Sequence, residues 1–136
     1  MTDNDTKNLV RCCDAFVSLH RSEGFGRGLA EAMYLGKPVV ATAYSGNMDF
    51  MDSDTAHLVG YDLVPLKAGD YPHGEGQKWA DAHVDEAAAH MITLVDHPED
   101  GRSMGKRAAR RIRNFCGYRA AGIRYRDRID ALAATL

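Results

Sequence analysis

The hydrophobic and polar positions alternate between two periods along this chain. "AFVSLH" and "PVVAT" are short, β-branched, nearly all-apolar runs, the pattern of strands buried on both faces. "AHLVG" is a third such run. Between them, "GLAEAMYL" carries strong helix formers, with Leu29, Ala30, Ala32 and Met33 on one face. Gly36 stands where a left-handed C-cap belongs, with Pro38 just beyond. "TDNDTKNLVRCCDA" reads as a leading helix, capped by Asp3 or Asp5, with Leu9, Val10 and Cys13 on its apolar side. "YSGNMDFM" reads as a loop entering a short helix capped by Ser45. The Gly-, Pro- and Asp-rich stretch from Tyr61 to Gln77 predicts a long irregular loop. "VDEAAAHMITLVDH" predicts an amphipathic helix with Ala88, Met91, Ile92 and Val95 in a stripe. "PEDGRSMGKRAARRIRNF" predicts another, entered through Asp96 with Pro98 in its first turn, and "YRAAGIRYRDRIDALAATL" a last one. Strands separated by helices imply crossovers and a parallel sheet. The expected class is α/β: about three parallel strands flanked by helices, with a helical C-terminus.

Composition narrows this little. The chain has 136 residues, 45% hydrophobic and 26% charged, as one soluble domain with a core would have. A net charge of -2 gives no reason to expect nucleic acid or an anionic membrane as partner. Cys12, Cys13 and Cys116 fit neither a disulfide framework nor a CxxC metal site, so reduced thiols in the cytoplasm are expected. The N-terminal "MTDNDTKNLV" has no apolar signal core, and no run nears the about 18 residues needed to span a bilayer.

The chemistry concentrates in "SEGFGRGLAEAM". In a doubly wound sheet, ligands bind at the carboxyl ends of strands, where residues 23–28 would lie. Gly24, Gly26 and Gly28 allow a sharp bend and a close backbone approach. A helix starting near Arg27 offers free N–H groups and a positive dipole end, a seat for a diphosphate or a sugar hydroxyl. Glu31 can face the same cleft and accept from a ribose diol, and Glu23 from a second set of hydroxyls. Carboxylate, N–H groups and carboxylate match a nucleotide-sugar in order. The plainer alternative is a capping residue and a solvated helix side chain beside a tight turn.

The stretch "DAFVSLHRSEGFGRGLAEAMYLGKPVVATAYSGNMDFM" closely resembles the C-terminal domain of retaining glycosyltransferases of family 4, which have the GT-B fold. "EGFGRGLAE" followed by "AM" carries the family's pair of glutamates separated by seven residues. "HLV", "LVDHP" and "MGKRAARRI" follow in the family's order. The resemblance implies a nucleotide-sugar donor such as GDP- or UDP-hexose as substrate, with no cofactor and no catalytic metal. It implies that Glu23 is catalytic, contacting the transferring sugar near the charge developing at its anomeric carbon. Glu31 would hold the ribose hydroxyls. The N–H groups of Phe25, Gly26 and Arg27, with Gly24 in the same turn, would address sugar hydroxyls; those of Gly28 and Leu29, the diphosphate. Arg27 replaces a usual aliphatic residue and reaches phosphate, acceptor or water. Gly46 and Asn47 are pocket candidates, although the family's following acid is absent.

The resemblance further implies that residues 1–136 form one partial domain, lacking the N-terminal acceptor domain and the first strands of the C-terminal one. Missing with them is the Arg and Lys pair that neutralises the leaving diphosphate. The fragment is expected to be inactive alone. Its open "AFVSLH" edge and the exposed Ile123, Ile129 and Leu132 predict a homodimer, or association with the missing half. A non-catalytic nucleotide-sugar-binding or self-assembling module and half of a split enzyme are the alternatives. A bacterial cytoplasmic protein, peripheral at the inner membrane face through its acceptor, is the implied setting. His83, His90 and His97 recur every seven residues, about 10 Å apart along a helix, too far to share a metal. They read as a polar face, and the basic run from Lys106 to Arg113 as a solvated one. His73, Glu75 and Trp79 are candidates to touch substrate, with a packed Trp79 as the plainer reading. Asp49, Asp52 and Asp54 read as solvated turn acids.

Overall fold

A computed structural model describes residues 2–135, without the side chain of residue 3. The element order is α1 (Asp3–Cys12), β1 (Phe16–Ser18), α2 (Arg27–Tyr34), β2 (Val39–Thr42), β3 (His57–Val59), β4 (Tyr61–Pro65), β5 (Lys78–Ala82), α3 (Val84–Asp96), α4 (Pro98–Cys116) and α5 (Tyr118–Ala133). A 3-10 turn, Ser45–Asp49, follows β2.

The three apolar runs form one parallel sheet in the order β1-β2-β3. The central β2 is buried along its whole length, which is why it reads as unbroken Val-Val-Ala-Thr. Its side chains alternate between two layers, as the pleat demands. Val39 and Ala41 join Leu29 and Met33 of α2, Phe50, and Ala108 and Ile112 of α4. Val40 joins Val59 and Ala87 of α3, with Leu94 packed alongside. Helices thus cover both faces, the arrangement the alternating pattern predicts. Gly36 takes the left-handed conformation, φ +75°, that ends α2.

The structure departs from the sequence reading in several places. The stretch from Tyr61 is not an irregular loop: β4 and β5 form an antiparallel hairpin, pairing Tyr61 with Ala82 and Pro65 with Lys78. Only residues 66–77 between them lack strand structure. Pro65 at the strand's end and Asp62 on its exposed side masked the signal.

The α3 stripe is rotated from its expected bearing. Ala87 is fully buried, whereas Ile92 and Val95 are 61% and 79% exposed. Val95, with Met91 and Leu94, lines a groove of about 560 Å³ beside Val17 of β1 and Pro38. Among the described residues β1 pairs only with β2, so the sheet ends there and part of the stripe has nothing to pack on.

Helix caps differ as well. Thr2 caps α1 in a reciprocal capping box with Asp5; the Asp3 alternative lies outside the described residues. Of its expected apolar side, Leu9 is 58% exposed and Cys13 exposed, leaving Val10 against the core. His97, not Asp96, is the N-cap of α4. Ser45 does not cap the turn it opens; Tyr44 holds that position.

The basic run on α4 is exposed, but it also clamps the domain. Arg107, Arg111 and Arg113 donate to the carbonyls of Asp54, Phe50 and Tyr34. Among the described residues no helix is long and apolar enough to cross a membrane.

Candidate functional site

Two loops at the carboxyl ends of β1 and β2 meet and position the start of α2. The first, residues 19–26, is fixed from below by His20. Its Nε2 lies 3.0 Å from the Tyr44 carbonyl and 3.1 Å from Asn47 Oδ1, and its Nδ1 3.4 Å from Ser18 Oγ. Both neighbours of Nε2 are acceptors, because Asn47 Nδ2 donates to the Thr42 carbonyl at 3.0 Å. The ring hydrogen therefore belongs on Nε2, and Nδ1 accepts from the serine hydroxyl. Asn47 is completely buried. Its side chain is structural, tying β2 to His20, rather than a pocket wall.

Higher in the loop, the Glu23 N–H donates to Ser45 Oγ at 2.8 Å. The Glu23 carbonyl accepts from Gly46 N–H at 3.1 Å. These bonds use only the Glu23 backbone. Ser45 adopts φ +70° to make its contact, an uncommon conformation for a residue with a side chain. A β-carbon on Gly46 would stand 2.1 Å from the Gly24 carbonyl oxygen, so the loops touch backbone to backbone.

Gly26 then turns the chain into α2 with φ +87° and ψ +51°. No side chain caps this end. The first helical bond runs from Ala30 N–H to the Gly26 carbonyl, 3.0 Å. The N–H groups of Arg27, Gly28 and Leu29 precede it and have no acceptor within the helix. Phe25 adds something the sequence reading missed. Its ring packs on that of Phe50, centroids 5.0 Å apart, while remaining 43% exposed. The side chain anchors the turn whatever its N–H does. Leu29 is likewise a core residue by its side chain.

One turn into α2, Arg27 Nε lies 3.5 Å from Glu31 Oε1. The Arg27 side chain is 82% exposed, with this one ion pair. Both residues line a concave surface of about 610 Å³, closed by Lys7 and Arg11 of α1 and Tyr34 and Ile112. Glu23, Gly24, Phe25 and Gly26 do not line it. The candidates thus divide. Arg27 and Glu31 share a groove, while Glu23 belongs to the loop pair above the sheet.

Among the described residues no three His, Cys, Asp or Glu side chains gather as a metal site would require. His83 and His90 instead lie along Glu86: His83 Nδ1 and His90 Nε2 are each 3.8 Å from its carboxylate, and Asp62 is 3.2 Å from His83 Nε2. Asp52 accepts from Thr55 and pairs with Arg111. Trp79 is packed, under the Arg21 guanidinium at 4.4 Å.

Fold and loop geometry define an α/β domain with an uncapped helix N-terminus at the carboxyl edge of a parallel sheet. Crystal structures of Anabaena HepE share this fold. The complex with UDP-glucose superimposes with a TM-score of 0.64 at 21% identity, over 97% of this chain and 30% of that one. The UDP complex gives 0.62 at 21% identity, over 94% and 29%. The architecture is thus a Rossmann-like α/β one shared with GT-B glycosyltransferases. Residues 1–61, a segment that includes the loop and α2, match the family model for glycosyl transferases group 1. The trehalose synthase of Pyrococcus horikoshii is 30% identical over 107 residues, 77% of this chain and 20% of its own length. That of Thermococcus litoralis is 29% identical over 107 residues, 77% of this chain and 21% of its own length. This chain therefore spans about a fifth of the length of the curated relatives it matches.

Proposed function

We propose that this chain is the donor-binding lobe of a retaining glycosyltransferase that moves a hexose from a nucleotide-sugar. The observation that carries the reading is the start of α2. Three free N–H groups follow a left-handed glycine and stand one turn from a carboxylate on the same helix. That end attracts a diphosphate through its N–H groups and dipole. Glu31 accepts from the ribose diol, displacing its weak bond to Arg27. Gly24, Phe25 and Gly26 lead the loop past the sugar. Glu23 lies beside the anomeric carbon and stabilises the positive charge that develops as the diphosphate departs.

Transfer also needs positive charge on the leaving diphosphate and an acceptor site. In this reading both come from a complementary half, and residues 1–136 bind the donor without turning it over. The open edge of β1 and the uncovered part of α3 mark the contact face. In the isolated chain, two copies cover each other there. In this reading the donor is held without a cofactor or a metal. The setting is cytoplasmic, at the membrane only through the acceptor.

Calorimetric titration tests the reading, with UDP, GDP and ADP and their glucose and mannose conjugates. UDP-glucose comes first, since the solved neighbour was crystallised with it. One base should bind, and Glu31→Ala should weaken it about ten- to a hundredfold, as loss of a hydrogen bond to a charged group does. A folded chain that binds none would leave only the self-assembling module, which the apolar face by itself would support.

A further inference from the structure

The β4–β5 hairpin escaped the sequence reading, and the donor reading gives it no task. Yet it touches both loops that hold Glu23. On the first loop, the Arg21 carbonyl, two residues before Glu23, accepts from the Ala80 N–H of β5 at 2.9 Å. The Arg21 guanidinium lies 4.4 Å over the Trp79 ring and 3.4 Å from Asp81 Oδ1. On the second loop, the ring of Tyr61, first residue of β4, packs on Tyr44 at 4.9 Å. Tyr44 immediately precedes Ser45, whose hydroxyl accepts the Glu23 N–H. The hairpin also continues from the sheet: the His83 N–H that follows β5 donates to the Gly60 carbonyl after β3. It is therefore a bracket between the sheet and the two loops.

We infer that this hairpin sets the position of Glu23, with Arg21 and Trp79 as positioning residues, and so governs how well the sugar of the donor is held, as distinct from its nucleotide. The inference rests on the donor reading for the identity of the ligand. The mechanical coupling does not. The nucleotide side is built on α2 and Glu31, which make no hydrogen bond, ion pair or ring contact to the hairpin among those described. Disturbing the bracket should therefore separate sugar recognition from nucleotide recognition. A change that merely lowers stability would weaken both alike.

The test uses the intact chain and the variants Arg21→Gln, Trp79→Ala and Trp79→Phe. Two readouts are taken. The first is the affinity for UDP and for UDP-glucose. The second is amide hydrogen exchange at Glu23 and Gly46, with the Phe16 amide, bonded to the Pro38 carbonyl at 3.0 Å, as a core reference. Arg21→Gln and Trp79→Ala should lower the UDP-glucose to UDP affinity ratio by about two- to fivefold, the size of a cation–π contact. UDP affinity should hold, and exchange at Glu23 and Gly46 should quicken without change at Phe16. Trp79→Phe keeps a ring face and should stay near wild type. An unchanged ratio with unchanged exchange overturns the inference. A parallel loss for UDP and UDP-glucose overturns it too, by reducing the hairpin to a stabilising element. A wild-type chain that binds neither ligand sinks the donor reading, and the exchange data alone then decide the coupling. Should Trp79→Ala fail to fold, Arg21→Gln carries the same comparison.

Discussion

At the scale of single residues, the loop pair depends on positions where a side chain cannot be added or removed. Gly26 sits at φ +87°, and a β-carbon there would meet Leu29 Cδ1 at 3.1 Å and Asn47 Cβ at 3.3 Å. Gly26→Ala should cost about 1–3 kcal/mol through backbone strain alone, read as a lower denaturation midpoint. Asn47 is buried with one donor on Thr42 and its oxygen facing His20. Asn47→Ala strands the buried Thr42 carbonyl and removes one of two acceptors from His20 Nε2, and should cost about 1–3 kcal/mol. Stability within about 0.5 kcal/mol of wild type in both variants would contradict this account, since that is the spread of neutral surface changes. The glycines were legible in the sequence because a turn into a helix at a strand's end needs them. Asn47 was not legible as structural. Nothing in "YSGNMDF" says that its amide turns inward to meet a histidine 27 positions earlier.

At the scale of elements, the strands and helices of the parallel layer follow from apolar runs in the sequence, Gly36 ends α2 as expected, and α2 begins at the expected Arg27. The hairpin was hidden because its strands are half exposed and carry Pro65, Asp62 and Asp81, so no apolar alternation announced them. The α3 stripe was legible as a stripe, but its bearing depends on where the sheet ends, which local sequence does not encode. The β3–α3 junction carries a pH prediction. The His57 and His90 rings lie 4.7 Å apart. Burial first, and the neighbouring His90 second, hold the His57 pKa below the ordinary histidine value. The unfolded chain therefore takes up this proton at a higher pH than the folded one. Stability is full above about pH 6.5 and falls as the pH drops through and below that value. His57→Gln should flatten the fall in thermal midpoint between neutral and mildly acidic pH. An unchanged slope would remove His57 from the account.

At the scale of the whole molecule, the sheet stops at β1. Val84, Ile92 and Val95 of α3 and Val17 of β1 are more than two-fifths exposed, and the backbone of β1 has an open side. Exposed strand edges beside apolar side chains invite pairing. Sedimentation should show the isolated chain self-associating, and the pair Ile92→Lys with Val95→Lys should return it to monomer. A wild-type chain that remains monomeric throughout would remove the dimer from the proposal without touching the donor site. The central claim, that the start of α2 holds a nucleotide-sugar, is tested most directly by amide chemical-shift mapping of the labelled chain titrated with UDP-glucose, GDP-mannose and ADP-glucose. The account predicts that one of them shifts the amides of Arg27, Gly28 and Leu29 first and furthest, with Glu23 and Gly24 following and the C-terminal half of α5 unmoved. Shifts centred elsewhere, or none from a folded chain with any of the three, would contradict it.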